Sequence, residues 1–198
     1  MVFINPGPTM QTLNPTLWRT CKMLAGATRI RLLRQLHVNA DQCVTALGRS
    51  VGIHQPAASQ ELRRIQSRGL LQVVRQGPAV MYRLMADPQV PTAAPLLKAI
   101  QAALAGLPPE KDGLMCAIAT GLAHERRIQI ARVLMNGAHA PPELQQLLHI
   151  PSRPFWLHLQ KLIAAGFVVP DQDRFQWTVP DHPLGRALAK LLGQGVTR

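Results

Sequence analysis

The chain repeats itself, and that constrains its fold more than any other feature. L-A-G-A-T-R-I-R-L-L-R-Q-L from Leu24 matches L-A-H-E-R-R-I-Q-I-A-R-V-L from Leu122. With one residue deleted, Leu47, Ile53, Leu62 and Gly69 fall on Leu144, Ile150, Leu159 and Gly166. The matched positions are apolar or turn-forming, as expected where a fold is kept while its surface diverges. A length of 198 residues accommodates two small domains. Leu107-Pro108-Pro109-Glu110-Lys111-Asp112-Gly113 reads as the linker between them. The boundaries that follow are 1–107 and 108–198.

The repeated unit is clearest from Leu47 to Gly69. Leu47 and Val51 are four apart and give one helix an apolar face; Gly52 lets the chain bend. A second helix starts around Gln55 with Pro56 in its first turn, where the missing N–H costs nothing. Ala58, Leu62 and Ile65 form its buried stripe, and Gly69 stops it. Leu71–Arg75 and Ala79–Leu84 are β-prone runs separated by the turn Gln76-Gly77-Pro78. Upstream, residues 1–13 read as a loose arm, and Asn14-Pro15 opens a helix through about Leu24. Trp18 on that helix is expected in a core or seam. Ala27–Leu36 forms the next helix, with Ile30, Leu32 and Leu33 inward and Arg29, Arg31 and Arg34 outward. Ala94–Leu104 is so apolar that it requires cover from a second domain or subunit.

The second copy follows suit. Pro142 starts a helix, Ser152 caps the next, and Phe167–Val169 with Phe175–Val179 forms a hairpin. Leu184–Leu192 closes it. The fold class expected is mostly α with small β-hairpins (α+β), as two tandem winged helix-turn-helix domains.

The outer face of the Gln55 helix carries side chains that reach base edges and phosphates. Ser59, Gln60 and Arg63 are the candidate base readers; Arg64, Arg75 and Arg83 the candidate phosphate contacts, with His54 and Gln55 at the helix start. The formal net charge of +12 suits a polyanionic partner, here double-stranded DNA. Charge is uneven: residues 1–110 hold twelve Lys/Arg and four Asp/Glu, residues 111–198 ten and six. The second copy also replaces Ala58, Ser59 and Gln60 with Phe155, Trp156 and Leu157, and its turn carries Asp171 and Asp173. Carboxylates there repel phosphate. The first copy is therefore expected to contact DNA, and the second to serve assembly or sensing, with Arg153 and Lys161 keeping a DNA role open for it. No run is long enough for a membrane span, and Met1–Met10 lacks a signal-peptide pattern, so a cytoplasmic location is expected.

The motifs L-A-G-A-T-R-I-R-L-L-R-Q-L, Q-C-V-T-A-L and I-H-Q-P-A-A-S-Q-E-L-R-R-I-Q-S-R-G-L-L resemble winged-helix repressors of the ArsR type. The resemblance spans about Leu17–Leu84 and, more weakly, the second copy. It implies a homodimeric repressor that releases DNA on sensing a metal or oxidant, with a dimer interface on the helices of Trp18 and Leu97. Two departures matter. Metal-sensing members carry Cys-Val-Cys where this chain has Cys43-Val44-Thr45, so a soft-metal site loses a thiolate. The seven histidines show no clean ligand spacing, and neither metal nor cofactor is expected. A thiol switch, as in the redox-sensing members, requires Cys43 to lie near Cys21 or Cys116. The tandem arrangement is the second departure: the two units form an intramolecular pseudo-dimer, or each chain forms a homodimer.

A transcriptional repressor is the leading reading. The alternatives are a tandem winged-helix replication or architectural protein, and a protein–protein docking module. No phosphate-binding glycine loop, zinc motif or nucleophile with a spaced base points to an enzyme.

Overall fold

The computed structural model describes residues 16–194 except Pro78. The arm 1–13 and the Asn14-Pro15 helix start lie outside the described residues. The chain is mostly helical with two small antiparallel sheets. Its first half runs α1 (Leu17–Leu24), α2 (Ala27–Val38), β1 (Gln42–Cys43), α3 (Val44–Val51), α4 (Gln55–Gln66), β2 (Leu71–Gln76), β3 (Ala79–Leu84) and α5 (Ala93–Gly106). Its second runs α6 (Asp112–Leu122), α7 (Glu125–Met135), α8 (Pro141–Leu148), α9 (Ser152–Ala164), β4 (Val168–Asp171), β5 (Arg174–Trp177) and α10 (Pro183–Gln194).

The repeat is visible element by element. Leu47, Leu62, Leu144 and Leu159 are fully buried. The turn between α3 and α4 takes a left-handed residue at Gly52 (φ 72°), and His149 takes the same conformation between α8 and α9 (φ 49°). Gly69 and Gly166, at φ 72° and 76°, release the chain from α4 and α9 into the hairpins. A Cβ at Gly69 would stand 2.8 Å from that of Val90, so close packing requires glycine there as well. The third strand differs in degree. β1 pairs with β3, Gln42 opposite Tyr82, whereas in the second half only a bridge from His139 to Phe175 remains.

The halves share one core. α1 packs on α6, and α5 packs on α10, so each outer helix of one half meets its counterpart in the other. Leu97, Ile100, Leu104, Leu188 and Leu192 belong to the same buried cluster as Leu24, Leu33, Leu122 and Leu134. This is the cover that the apolar α5 requires. No helix among the described residues is long and apolar enough to cross a membrane.

Several details depart from the pattern read in the sequence. The segment Leu107–Gly113 is only partly a linker: a 3-10 turn occupies Pro109–Lys111, and α6 already begins at Asp112. Ser152 is the first residue of α9 and Pro151 precedes it as the cap position, so the hydroxyl does not cap. The second hairpin is tighter, with the four-residue strands β4 and β5 turning at Gln172 and Asp173. Arg29 and Arg34 do not face out. Arg34 lies almost inside, paired through two nitrogens with Asp112 (2.6 and 2.8 Å) and donating to the carbonyls of Leu104 and Leu107. It clips α2 to the connection between the halves. Arg29 donates to the Met23 carbonyl and to Glu61 (2.6 Å). Both face ends of other helices, whose exposed carbonyls and nearby acids draw guanidinium groups inward.

Candidate nucleic-acid interface

The geometry between α3 and α4 depends on two small residues. A Cβ at Gly48 would lie 2.9 Å from the Ile53 carbonyl oxygen and 3.3 Å from the Ala58 Cβ. Glycine and alanine at this seam let α3 and α4 touch, and the contact fixes which side of α4 is left outside. Ala58, Leu62 and Ile65 point inward, fully buried.

The outer side of α4 carries His54, Gln55, Gln60, Arg63 and Arg64, all exposed, with Ser59 half-buried at its margin. His54 holds the cap position in extended conformation without a side-chain cap bond. The first turn of α4 contains no acidic residue, so its positive dipole end is unopposed by a local carboxylate. Beyond α4, β2 and β3 form a six-residue hairpin with Leu71 opposite Leu84 and Gln76 opposite Ala79. Arg75, near its tip, is exposed.

The expected cations do not stand alike. Arg63 and Arg75 have no carboxylate partner among the described residues. Arg64 is paired with Glu61 (2.5 Å) but remains largely exposed. Arg83 is committed. Its guanidinium donates twice to Asp41 (2.7 and 2.5 Å), holding that carboxyl below the usual carboxylate range. The pair ties β3 to the α2–α3 connection, so Arg83 positions the hairpin while Arg63 and Arg75 are available to an outside anion.

Two basic residues nearby escaped the sequence reading. Arg19 and Lys22, on α1, line the same cavity as Arg64 and Arg68 at the end of α4. Only tertiary packing brings them together, and no spacing in the sequence announces it.

The matching surface of the second half is chemically different. Phe155 is fully buried in the place of Ala58, while Trp156 and Leu157 are 42% and 58% exposed. The Trp156 ring meets Phe155 and Phe175 edge-on, at centroid distances of 5.5 and 6.1 Å. Arg153 and Lys161 are exposed on the same helix.

All three cysteines are free thiols. Cys21 is fully buried and its thiol is pushed up to about 12 by burial. Burial, then the Asp112 carboxylate, also raises Cys116. Reactive thiols show the opposite shift. Cys43 sits at the cap of α3, opposite Met81 in the sheet. Among the described residues, no group of three or more His, Cys, Asp or Glu is placed to hold a metal ion.

No family model, curated protein or solved structure matches the chain.

Proposed function

We propose that the chain is a sequence-specific DNA-binding transcriptional regulator, a repressor, built from two tandem winged helix-turn-helix units of the ArsR type. The first unit reads DNA. The observation that carries this reading is the outer row of α4, seated on a tight α3–α4 seam and followed by a basic hairpin. Ser59, Gln60 and Arg63 contact base edges; Arg64 and Arg75 contact phosphates, and His54 and Gln55 lie at the helix start beside them. Arg83 acts through Asp41 by fixing the hairpin.

The second unit serves as a built-in partner. The packing of α1 on α6 and of α5 on α10 supports this reading, since the resemblance expects contacts of α1 and α5 between two subunits. An intramolecular pseudo-dimer with one polar reading helix predicts an asymmetric site, whereas a two-fold pair predicts half-sites about one DNA turn apart. Trp156 and Leu157 support a docking role for the second unit alone, because apolar side chains of that size exposed on one helix give poor contacts to phosphate.

The test is a titration of the chain against its own upstream DNA and a scrambled duplex at two salt concentrations. A specific regulator binds the native duplex at least about a thousandfold tighter. Equal affinities that fall together with salt indicate backbone contacts alone and favour the architectural reading.

A further inference from the structure

A cavity of about 380 Å³ opens between α1 and the C-terminal end of α4. Five of its eight lining residues are cationic: Arg19, Lys22, Arg29, Arg64 and Arg68, with Trp18 beside them. Glu61 is engaged by Arg29 and Arg64 together. Arg19, Lys22 and Arg68 have no carboxylate partner among the described residues, and residues 1–15 and 195–198 contain no Asp or Glu. The Arg68 Nε is buried without a hydrogen-bond partner. Burial and the charge of Arg19 both disfavour its protonated form. These cations are not needed to finish α4. Its end is closed by Ser67 Oγ donating to the Arg64 carbonyl, and by the Arg68 and Gly69 amides donating to Ile65 and Gln66.

The second half shows what this framework does without the cations. Arg19, Lys22 and Arg68 correspond to Ala117, Thr120 and Ala165, and Met23 to Gly121. There α6 and α9 close up: a Cβ on Gly121 would be 2.4 Å from that of Ala165 and 3.0 Å from the Phe167 ring. The first half keeps the space open and surrounds it with positive charge. Like charges gathered at a partly buried site are unfavourable until an anion neutralises them.

We propose that this cavity is a phosphoryl-binding site in which Arg19, Lys22 and Arg68 hold one group's oxygens. A single carboxylate would leave most of the charge uncompensated, whereas a phosphoryl group offers several acceptors to two guanidinium forks and an ammonium. The volume also leaves room for more than one such group. Two sources supply this chemistry: a DNA backbone phosphate reaching past Arg64, and a free phosphorylated small molecule.

The site stands apart from the DNA reading, because its primary test contains no DNA. The full chain is titrated with inorganic pyrophosphate by calorimetry at about 0.15 M salt, where long-range charge effects are screened. One saturable site is expected, weakened at least about tenfold in Arg68→Gln, the loss of one charge-assisted contact. Arg19→Gln, at an exposed position on α1, repeats the test should Arg68→Gln melt early. Lys190→Gln, at an exposed position on α10, is expected to bind as the parent does. Absence of a saturable site, or equal weakening in Lys190→Gln, overturns the proposal in favour of general charge attraction. The two sources then separate. A backbone phosphate requires Arg68→Gln to weaken DNA binding and pyrophosphate to compete with DNA; a free ligand requires Arg68→Gln to bind DNA normally.

Discussion

The two halves share a framework and differ at the seam that decides its use. α3 packs directly on α4 through Gly48 and Ala58, while α8 packs chiefly on α7. Gln145 and Phe155 stand where the first half has Gly48 and Ala58. The charges follow the same division. Arg29 reaches Glu61, which also holds Arg64; at the Glu61 position the second half has His158, which feels the charge of the corresponding Arg127, whose Nε is buried without a partner. A repeated framework can thus keep its core while one copy lacks the tight seam and polar face on which the proposed DNA reading rests.

The largest effect expected is at that seam. Phe155 fills with an aromatic ring the volume that Ala58 fills with a methyl, and it is wholly buried. Phe155→Ala should lower stability by about 3–5 kcal/mol, since the second half cannot close the cavity left behind. Chemical denaturation measures it; a loss under about 1 kcal/mol would mean that α8 moves in to resemble α3. Arg34 and Arg132 provide the next contrast. Arg34 depends on Asp112, whereas the Arg132 Nε is buried with no partner. Asp112→Asn is expected to cost about 2 kcal/mol by leaving Arg34 uncompensated. Arg132→Gln should stay within about 0.5 kcal/mol of the parent. Equal costs would show that the Arg34 clip contributes nothing particular to joining the halves.

The proposed function divides along the same line. Arg63 in the first half corresponds to Gln160 in the second. Arg63→Ala should weaken specific DNA binding by roughly 1–3 kcal/mol and relax preference at one base step. Gln160→Ala should leave both unchanged. If the two variants weaken binding alike, the second half reads DNA as well, and the division proposed between them is wrong.

Much of this architecture was readable because its signals are local. Apolar spacing placed α4 and α5 within two residues of their observed ends, and Gly52 marked the turn at which the backbone goes left-handed. What escaped depends on distant parts of the chain meeting. Arg29 and Arg34 look outward on any helical projection of α2; the carbonyls and acids that draw them in come from α1, α4, α5 and α6. α6 was hidden by its own composition, since Gly113 and Gly121 lower helix propensity, yet Gly121 permits the close approach of α9. For the candidate interface, the α4 row was evident from the pattern, but the commitment of Arg83 to Asp41 was not. Their 42-residue separation closes only when β3 pairs with β1.

The smallest effect expected concerns pH and returns to the position of Glu61. In the second half His158 lies 4.5 Å from His124, ring centroid to centroid. Burial foremost, then His124 and the charges of Arg127 and Arg126, holds His158 below the ordinary histidine value. Burial and the same two arginines, with Lys22, also lower His124 against the opposing pull of Glu125. A histidine whose folded pKa lies below its unfolded value binds protons more readily when unfolded. Its contribution is present above about pH 6.5 and is lost as pH falls from there through the folded pKa. The pair should therefore make the protein less stable in mild acid, by an amount limited to about 1 kcal/mol because the site is only partly buried. His158→Glu restores the first half's pattern. The new carboxylate faces Arg127 as Glu61 faces Arg29, removes one titrating imidazole, and favours the protonated form of His124. Thermal melts between pH 5 and 7 should then show a flatter profile than the parent. An unchanged slope would place the acid sensitivity elsewhere, with the buried His182, which burial and Arg186 also push down, as the remaining source.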